Sequence, residues 1–132
     1  MIWLRMIIKK FEYIIAWKKA QDFAVEIYAD FEKLRDASFR TQICSAVISI
    51  SNNIAKVIDR SSDAEFVRFL YIALGSAGEV KSMLGLAEKP GCLQEFKRDE
   101  LINFNDEISK IIRGFLKSIR QRNKIKNPLN SI

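Results

Sequence analysis

The chain has 132 residues, 48% of them apolar and 29% charged, and this composition fits one globular domain rather than a disordered or fibrous protein. It contains no histidine and only two cysteines, Cys44 and Cys92, which excludes haem ligation by histidine, histidine-based catalytic triads and most structural zinc sites. The formal net charge of +6 is unevenly placed, because residues 110–132 hold seven basic and no acidic side chains while the rest is nearly neutral.

The first predicted helix covers about residues 12–35. Apolar side chains recur there at three- and four-residue steps from Trp17 to Leu34, which is the spacing of one helix face. The apolar stretch before it is interrupted by Arg5 and is far shorter than the roughly 20 residues of a membrane span. No small-residue cleavage site follows it, so we expect a soluble cytoplasmic protein with no membrane contact, and Met6 is a second possible start.

The second predicted helix covers about residues 39–59, with Ser38 as its expected N-cap. Ser and Asn side chains crowd this helix, although both are weak helix formers. We therefore expect close helix contact or polar pairing between helices. The predicted structural polar network comprises Ser49, Asn53, Arg60 and Glu79, in which Glu79 pairs with Arg60 or another cation, and a shared functional pocket is the alternative.

The third predicted helix covers about residues 63–89. Ser62 to Glu65 matches a capping box, which is the clearest helix start in the chain. The run Gly75 to Gly78 places small residues in the middle of the helix, where each glycine costs about 1 kcal/mol relative to alanine. Tight approach of another helix would offset that cost.

The fourth predicted helix covers about residues 96–121, and residues 122–132 are expected to form a flexible basic tail. Basic side chains recur at three- and four-residue steps near its end, and we extend this pattern into the tail. The candidate nucleic-acid-binding residues are Lys110, Arg113, Lys117, Arg120, Arg122, Lys124 and Lys126. A solvated basic face that interacts favourably with the helix dipole is the alternative.

Four long helices joined by short turns predict an all-α, antiparallel up-down-up-down four-helix bundle over residues 1–121. The chain lacks the histidines of a ferritin-like di-iron site. We predict no metal, no cofactor and no enzymatic activity. The two cysteines are expected to be reduced thiols, with a Cys44–Cys92 disulfide as the alternative.

A characteristic order of residues runs through these helices. It comprises Trp17 and Ala20 in the first helix, Gln42, Ala46, Ser49, Ile50, Asn53, Ile54 and Ala55 in the second, Arg60 and Ser61 in the turn, and Glu65, Phe66, Phe69, Leu70, Ile72, Ala73, Gly75, Ser76, Ala77 and Glu79 in the third. This order resembles the 23S rRNA intervening-sequence protein family, also called the four helix bundle protein family. The resemblance spans roughly residues 11–120, and the chain looks like a divergent member. Departures are Cys44-Ser45, where the family usually has basic residues, and Lys56-Val57, where it continues Glu-Gly.

The resemblance implies a bundle that assembles into a ring, most often a homopentamer, with no catalytic activity. Nucleic-acid binding is implied by the charge of family members, and related bundles serve retroelements as accessory factors that bind RNA and a polymerase. We therefore expect an oligomeric protein that binds structured RNA, ribosomal RNA among the candidates, through the C-terminal basic residues. The alternative is a protein-interaction scaffold or accessory factor with no direct nucleic-acid contact.

Overall fold

The computed structural model describes residues 2–60, 62–87 and 93–126, the side chain of residue 126 excepted. Its helices are α1 (Ile2–Phe31), α2 (Ala37–Ile58), α3 (Asp63–Leu86) and α4 (Glu95–Lys126). Packing runs from α1 to α2, α2 to α3, α3 to α4 and back to α1. No strand occurs in the described ranges. This arrangement confirms the predicted all-α four-helix bundle.

The core is built from one apolar face of each helix. Phe23, Ile50, Leu84 and Ile112 are fully buried and come from the four helices in turn. One residue of the predicted apolar face of α1 is not part of this core, because Tyr28 is 48% exposed. The three- and four-residue spacing placed it at the margin of the face, where a large side chain can turn to solvent.

The start of α2 differs from the expected one. The Asp36 side chain accepts a hydrogen bond from the Phe39 backbone N–H at 3.0 Å, and Asp36 is the N-cap. Ser38 lies inside the helix, so its prediction as the cap was wrong. Aspartate and serine both accept hydrogen bonds from the free N–H groups of a first helical turn, and alanine is a strong helix former. The helix therefore begins at Ala37, two residues before the predicted start at residue 39. The predicted cap of α3 is confirmed, because Ser62 Oγ accepts from the Glu65 N–H at 3.3 Å.

Two helices extend further than their predicted bounds. α1 begins at Ile2 rather than near residue 12, because residues 2–11 contain no proline, glycine or capping residue that would end or start a helix there. Its first half leaves large apolar side chains exposed, among them Trp3 at 67%, Phe11 at 62% and Ile15 at 64%. α4 continues to Lys126, so residues 122–126, expected in a flexible tail, are helical. Residues 127–132 lie outside the described part.

The glycines of α3 lie on the open side of the helix. A Cβ atom placed on Gly75 or Gly78 would meet nothing within 4 Å. The tight approach of another helix, expected at these glycines, is therefore wrong within this chain. The small residue between them that faces the core is Ala77, which is fully buried.

None of the helices in the described residues is long and apolar enough to cross a lipid bilayer.

Candidate nucleic-acid interface

Five basic side chains form one continuous line along the second half of α4. We call Lys110, Arg113, Lys117, Arg120 and Lys124 the α4 stripe. With 3.6 residues per turn, their positions fall within about 80° of the helix circumference and extend over roughly 21 Å of its length. All five side chains are exposed. The predicted three- and four-residue spacing therefore describes a single solvent-facing surface.

The side chains of the α4 stripe have no charged partner in the part of the chain that the structure describes. None of the five side chains forms a hydrogen bond or an ion pair with any residue in the described ranges. The first half of α4 differs, because Asp106 pairs with Lys81 of α3 at 2.9 Å and Glu107 pairs with Lys19 of α1. Along the line of the stripe, the side chains thus change from paired at Asp106 to unpaired from Lys110 onward in the described ranges.

The structure places Arg122 away from the α4 stripe. Arg122 follows Arg120 by two residues, which turns its side chain by about 200° around the helix. Its Nη2 lies 2.5 Å from Asp63 Oδ1 at the start of α3, and both side chains are half-buried. Arg122 therefore joins α4 to α3 in this structure. The side chain of Lys126 lies outside the described part.

The Arg122–Asp63 pair lies close to the Tyr13 phenol of α1. The Tyr13 ring is buried and meets the Phe115 ring edge-on at 4.5 Å. Burial raises the pKa of Tyr13, the positive charge of Arg122 opposes this effect, and the charges of Asp63 and Glu12 add to it. This end of the bundle is consequently held by an aromatic contact and an ion pair together.

The predicted polar network is divided into separate contacts. Asn53 Nδ2 donates to the Ser49 backbone carbonyl at 2.7 Å and to Ser49 Oγ at 3.1 Å. Ser76 Oγ donates to Ser49 Oγ at 2.8 Å, which connects α2 to α3. Glu79 accepts instead from Gln42 Nε2 at 2.8 Å.

Arg60 takes no part in these polar contacts. Its guanidinium carbon lies 5.4 Å from the centroid of the Phe69 ring. Ser49 and Asn53 are therefore brought together as predicted, whereas Glu79 and Arg60 are not paired with each other.

A buried polar residue of α4 was missed from the sequence. Asn105 is 1% exposed, and its Nδ2 donates to the Ala77 carbonyl of α3 at 2.9 Å. Its Oδ1 is buried and has no hydrogen-bond partner among the described residues. Its spacing from Leu101 and Ile108, four and three residues away, places it on the core face. That spacing is the sequence feature from which the burial of Asn105 could have been predicted.

The buried thiol of Cys44 lies beside a shallow open depression between α1 and α2, lined in part by Tyr28, Glu32 and Arg40. Burial raises the pKa of Cys44, and the nearby charge of Arg40 opposes this effect. A thiol with a raised pKa is a poor nucleophile. The alternative disulfide involves Cys92, which lies outside the described residues.

No group of three or more histidine, cysteine, aspartate or glutamate side chains able to hold a metal occurs in the described ranges.

Comparison with known proteins identifies relatives over most of the chain. The family described as "23S rRNA-intervening sequence protein" matches residues 12–114. A crystal structure of a protein of unknown function from the S23 ribosomal protein family of Bacteroides thetaiotaomicron VPI-5482 is 25% identical. That match covers 80% of this chain and 98% of the other, with a TM-score of 0.74. No curated protein matches the chain.

Proposed function

The chain belongs to the 23S rRNA-intervening sequence protein family, and from this premise we propose that it is a non-enzymatic, oligomeric bundle that binds structured RNA through the α4 stripe. The observation that supports the proposal is the line of five exposed cations that have no ion-pair partner among the described residues. A cation that is paired with a carboxylate must break that ion pair before it can bind phosphate. The cations of the α4 stripe have no such ion pair to break in the described ranges.

The expected binding is electrostatic and depends strongly on salt. Each neutralised phosphate adds about 0.7 for a single strand and about 0.9 for a double helix to the steepness of log affinity against log salt concentration, and the smaller value sets the minimum for a structured RNA. Five contacts then give a slope of about −3.5, so a fourfold rise in salt weakens binding roughly 100-fold. Because phosphate contacts carry no sequence information, we expect little sequence preference.

The exposed apolar side chains of α1 support the oligomeric part of the proposal. Trp3, Phe11 and Ile15 are exposed on the first half of α1, and exposed apolar surface of this kind marks interaction sites. A homopentamer is the assembly that we favour from the family resemblance. Five copies of a chain with net charge +6 would carry +30, which strengthens attraction to RNA.

The same apolar surface also favours a second candidate function, a scaffold for a partner protein with no direct contact to nucleic acid. In that case the α4 stripe is only a solvated face of the bundle. Recovery of a defined partner from the native host, unaffected by nuclease and retained when the stripe is neutralised, would support the scaffold.

A charge-matched pair of variants tests the RNA proposal. The stripe variant combines Arg113→Gln, Lys117→Gln and Arg120→Gln, and the control combines Lys18→Gln, Lys33→Gln and Arg35→Gln. All six side chains are exposed, so both variants should fold and lose the same charge. We expect the stripe variant to reduce the magnitude of the salt slope by about 2, and the control to change it little. Equal effects of the two variants would refute a specific role for the α4 stripe.

A further inference from the structure

Three cations, one from α2, one from the turn that follows it and one from α3, lie around one aromatic ring. Lys56 Nζ, Arg60 Cζ and Arg68 Cζ each lie 5.4 Å from the centroid of the Phe69 ring. The Phe69 ring is half-buried, while the three cations are exposed. We call these four residues the Phe69 cluster.

The local fold explains why these side chains meet. Lys56 lies in the last turn of α2, and Arg60 follows four residues later, just after the helix ends. Both side chains reach the Phe69 ring. Phe69 lies in the second turn of α3, and α3 packs antiparallel against α2. The ring therefore projects from α3 toward the last cations of α2, with Arg68 beside it.

The cations of the Phe69 cluster are unpaired within the described part of the chain. None of its three cations forms an ion pair with a residue that the structure describes. The carboxylates nearest in sequence, Asp59 and Glu65, do not form an ion pair with any of the three cations either. Cations that share one ring lie no more than roughly 11 Å apart, and they repel each other at low salt, where the Debye length exceeds that separation. A bound anion would remove that repulsion.

The Phe69 cluster lies level with the middle of the α4 stripe. Two contacts fix the register of α3 against α4, namely Asn105 with the Ala77 carbonyl and Arg122 with Asp63. Following this register places Arg68 opposite Lys117. Neighbouring helices pack 8–10 Å apart, so the cluster and the stripe are separated by roughly 20 Å across α3.

The stripe faces solvent on the flank of α4 that borders α3. Asp106 precedes Lys110 by one helical turn on the same line, and it pairs with Lys81 of α3 at 2.9 Å. The cations of α2, α3 and α4 therefore border one outer surface of the bundle, with no helix between them except α3 itself.

We propose that the Phe69 cluster is a second phosphate-binding site and that one RNA backbone crosses α3 to contact both the cluster and the α4 stripe. This inference rests on the proposed function. Two guanidinium groups and one ammonium favour phosphate oxygens, which accept paired hydrogen bonds from arginine. The half-buried Phe69 ring, with the three cations 5.4 Å from its centroid, holds them near one another through cation–π contacts.

The test compares three charge-matched variants in salt-titrated binding to a structured RNA. The cluster variant combines Lys56→Gln, Arg60→Gln and Arg68→Gln, and is measured beside the stripe and control variants defined above. We expect the cluster variant to reduce the magnitude of the salt slope by about 2, and the cluster and stripe changes combined to reduce it by about 4.

Other outcomes separate this inference from the proposed function. A cluster variant that behaves like the control, while the stripe variant loses binding, overturns the second site and leaves the proposed function standing. Absence of RNA binding by the unaltered protein at low salt overturns both. Loss of inorganic phosphate binding in the cluster variant, with RNA binding unchanged, assigns the site to a free anion and overturns the RNA assignment.

A charge-preserving variant guards against a folding artefact. The double substitution Arg60→Lys and Arg68→Lys keeps the positive charge but loses the guanidinium groups. We expect it to keep the salt slope of the unaltered protein and to bind several-fold more weakly, because ammonium cannot form the paired contacts. A slope as low as that of the cluster variant would contradict the proposal.

Discussion

The substitution Asn105→Asp probes the buried contact between α3 and α4. Asn105 is 1% exposed, and its Nδ2 donates to the Ala77 carbonyl at 2.9 Å. Aspartate has nearly the same shape, but at neutral pH it removes the donor and places a carboxylate beside a carbonyl oxygen. The variant therefore changes charge and hydrogen bonding with little change in packing.

The expected loss is large. A buried charge left without a partner costs about 3–5 kcal/mol, against a total free energy of unfolding of about 5–15 kcal/mol for a typical domain. With a urea m-value of about 2 kcal/mol per molar, the unfolding midpoint should fall by about 2 M. The matched control is Asn103→Asp, two residues away on the same helix and exposed, which should change stability by no more than about 0.5 kcal/mol.

The pH dependence of the Asn105→Asp variant adds an independent readout. Burial raises the pKa of a carboxyl above its unfolded value of about 3.9. Stability is then greatest below the unfolded pKa and is lost as the pH rises toward the folded pKa. We expect the difference from the unaltered protein, measured by urea unfolding with circular dichroism, to shrink as the pH falls from neutral to about 4. Equal midpoints for the two aspartate variants at neutral pH would refute the described contact.

Three further predictions follow from local features. Asp36→Ala should lower the free energy of unfolding by about 1 kcal/mol through loss of the α2 cap, while Ser38→Ala should have little effect, and the reverse order in urea unfolding would restore Ser38 as the cap. In a Cys92→Ser background, Cys44 should react with iodoacetamide more slowly than a free thiol at mildly alkaline pH, because burial raises its pKa; reaction at the rate of the unfolded chain would contradict this. The raised pKa of Tyr13 predicts stability that is present below pH 10.0 and is lost as the pH rises through the folded pKa, and Tyr13→Phe should lose less stability over that range. Identical alkaline unfolding curves would refute that contribution.

The helices were predictable because their apolar residues repeat with the period of an α-helix. Ile27 lies on the face predicted for the first helix, between Trp17 and Leu34, and it is fully buried. The extra length of α1 was not predictable in this way, because the residues before Phe11 are apolar around most of the helix and show no polar face. The α2 cap was missed because Asp36 and Ser38 are both good capping residues, and only the backbone geometry distinguishes them.

The candidate site was predictable where it lies on one helix and not where it joins two. The spacing of Lys110, Arg113 and Lys117 is sufficient to place them on one face. Arg122 pairs with Asp63, which is 59 residues away in sequence, and no local pattern indicates such a contact. The Phe69 cluster was missed for the same reason, because its cations come from α2, α3 and the turn between them.

The salt dependence of binding to a structured ribosomal RNA tests the central claim most directly. The measurement is the dissociation constant of the unaltered protein at several salt concentrations between about 50 and 200 mM, with its native mass determined in parallel. Contacts by the α4 stripe alone predict a slope of about −3.5, hence a weakening of roughly 100-fold over that range, and a steeper slope if the Phe69 cluster also binds. Binding that does not change with salt, or no binding at the lowest salt, would contradict the account.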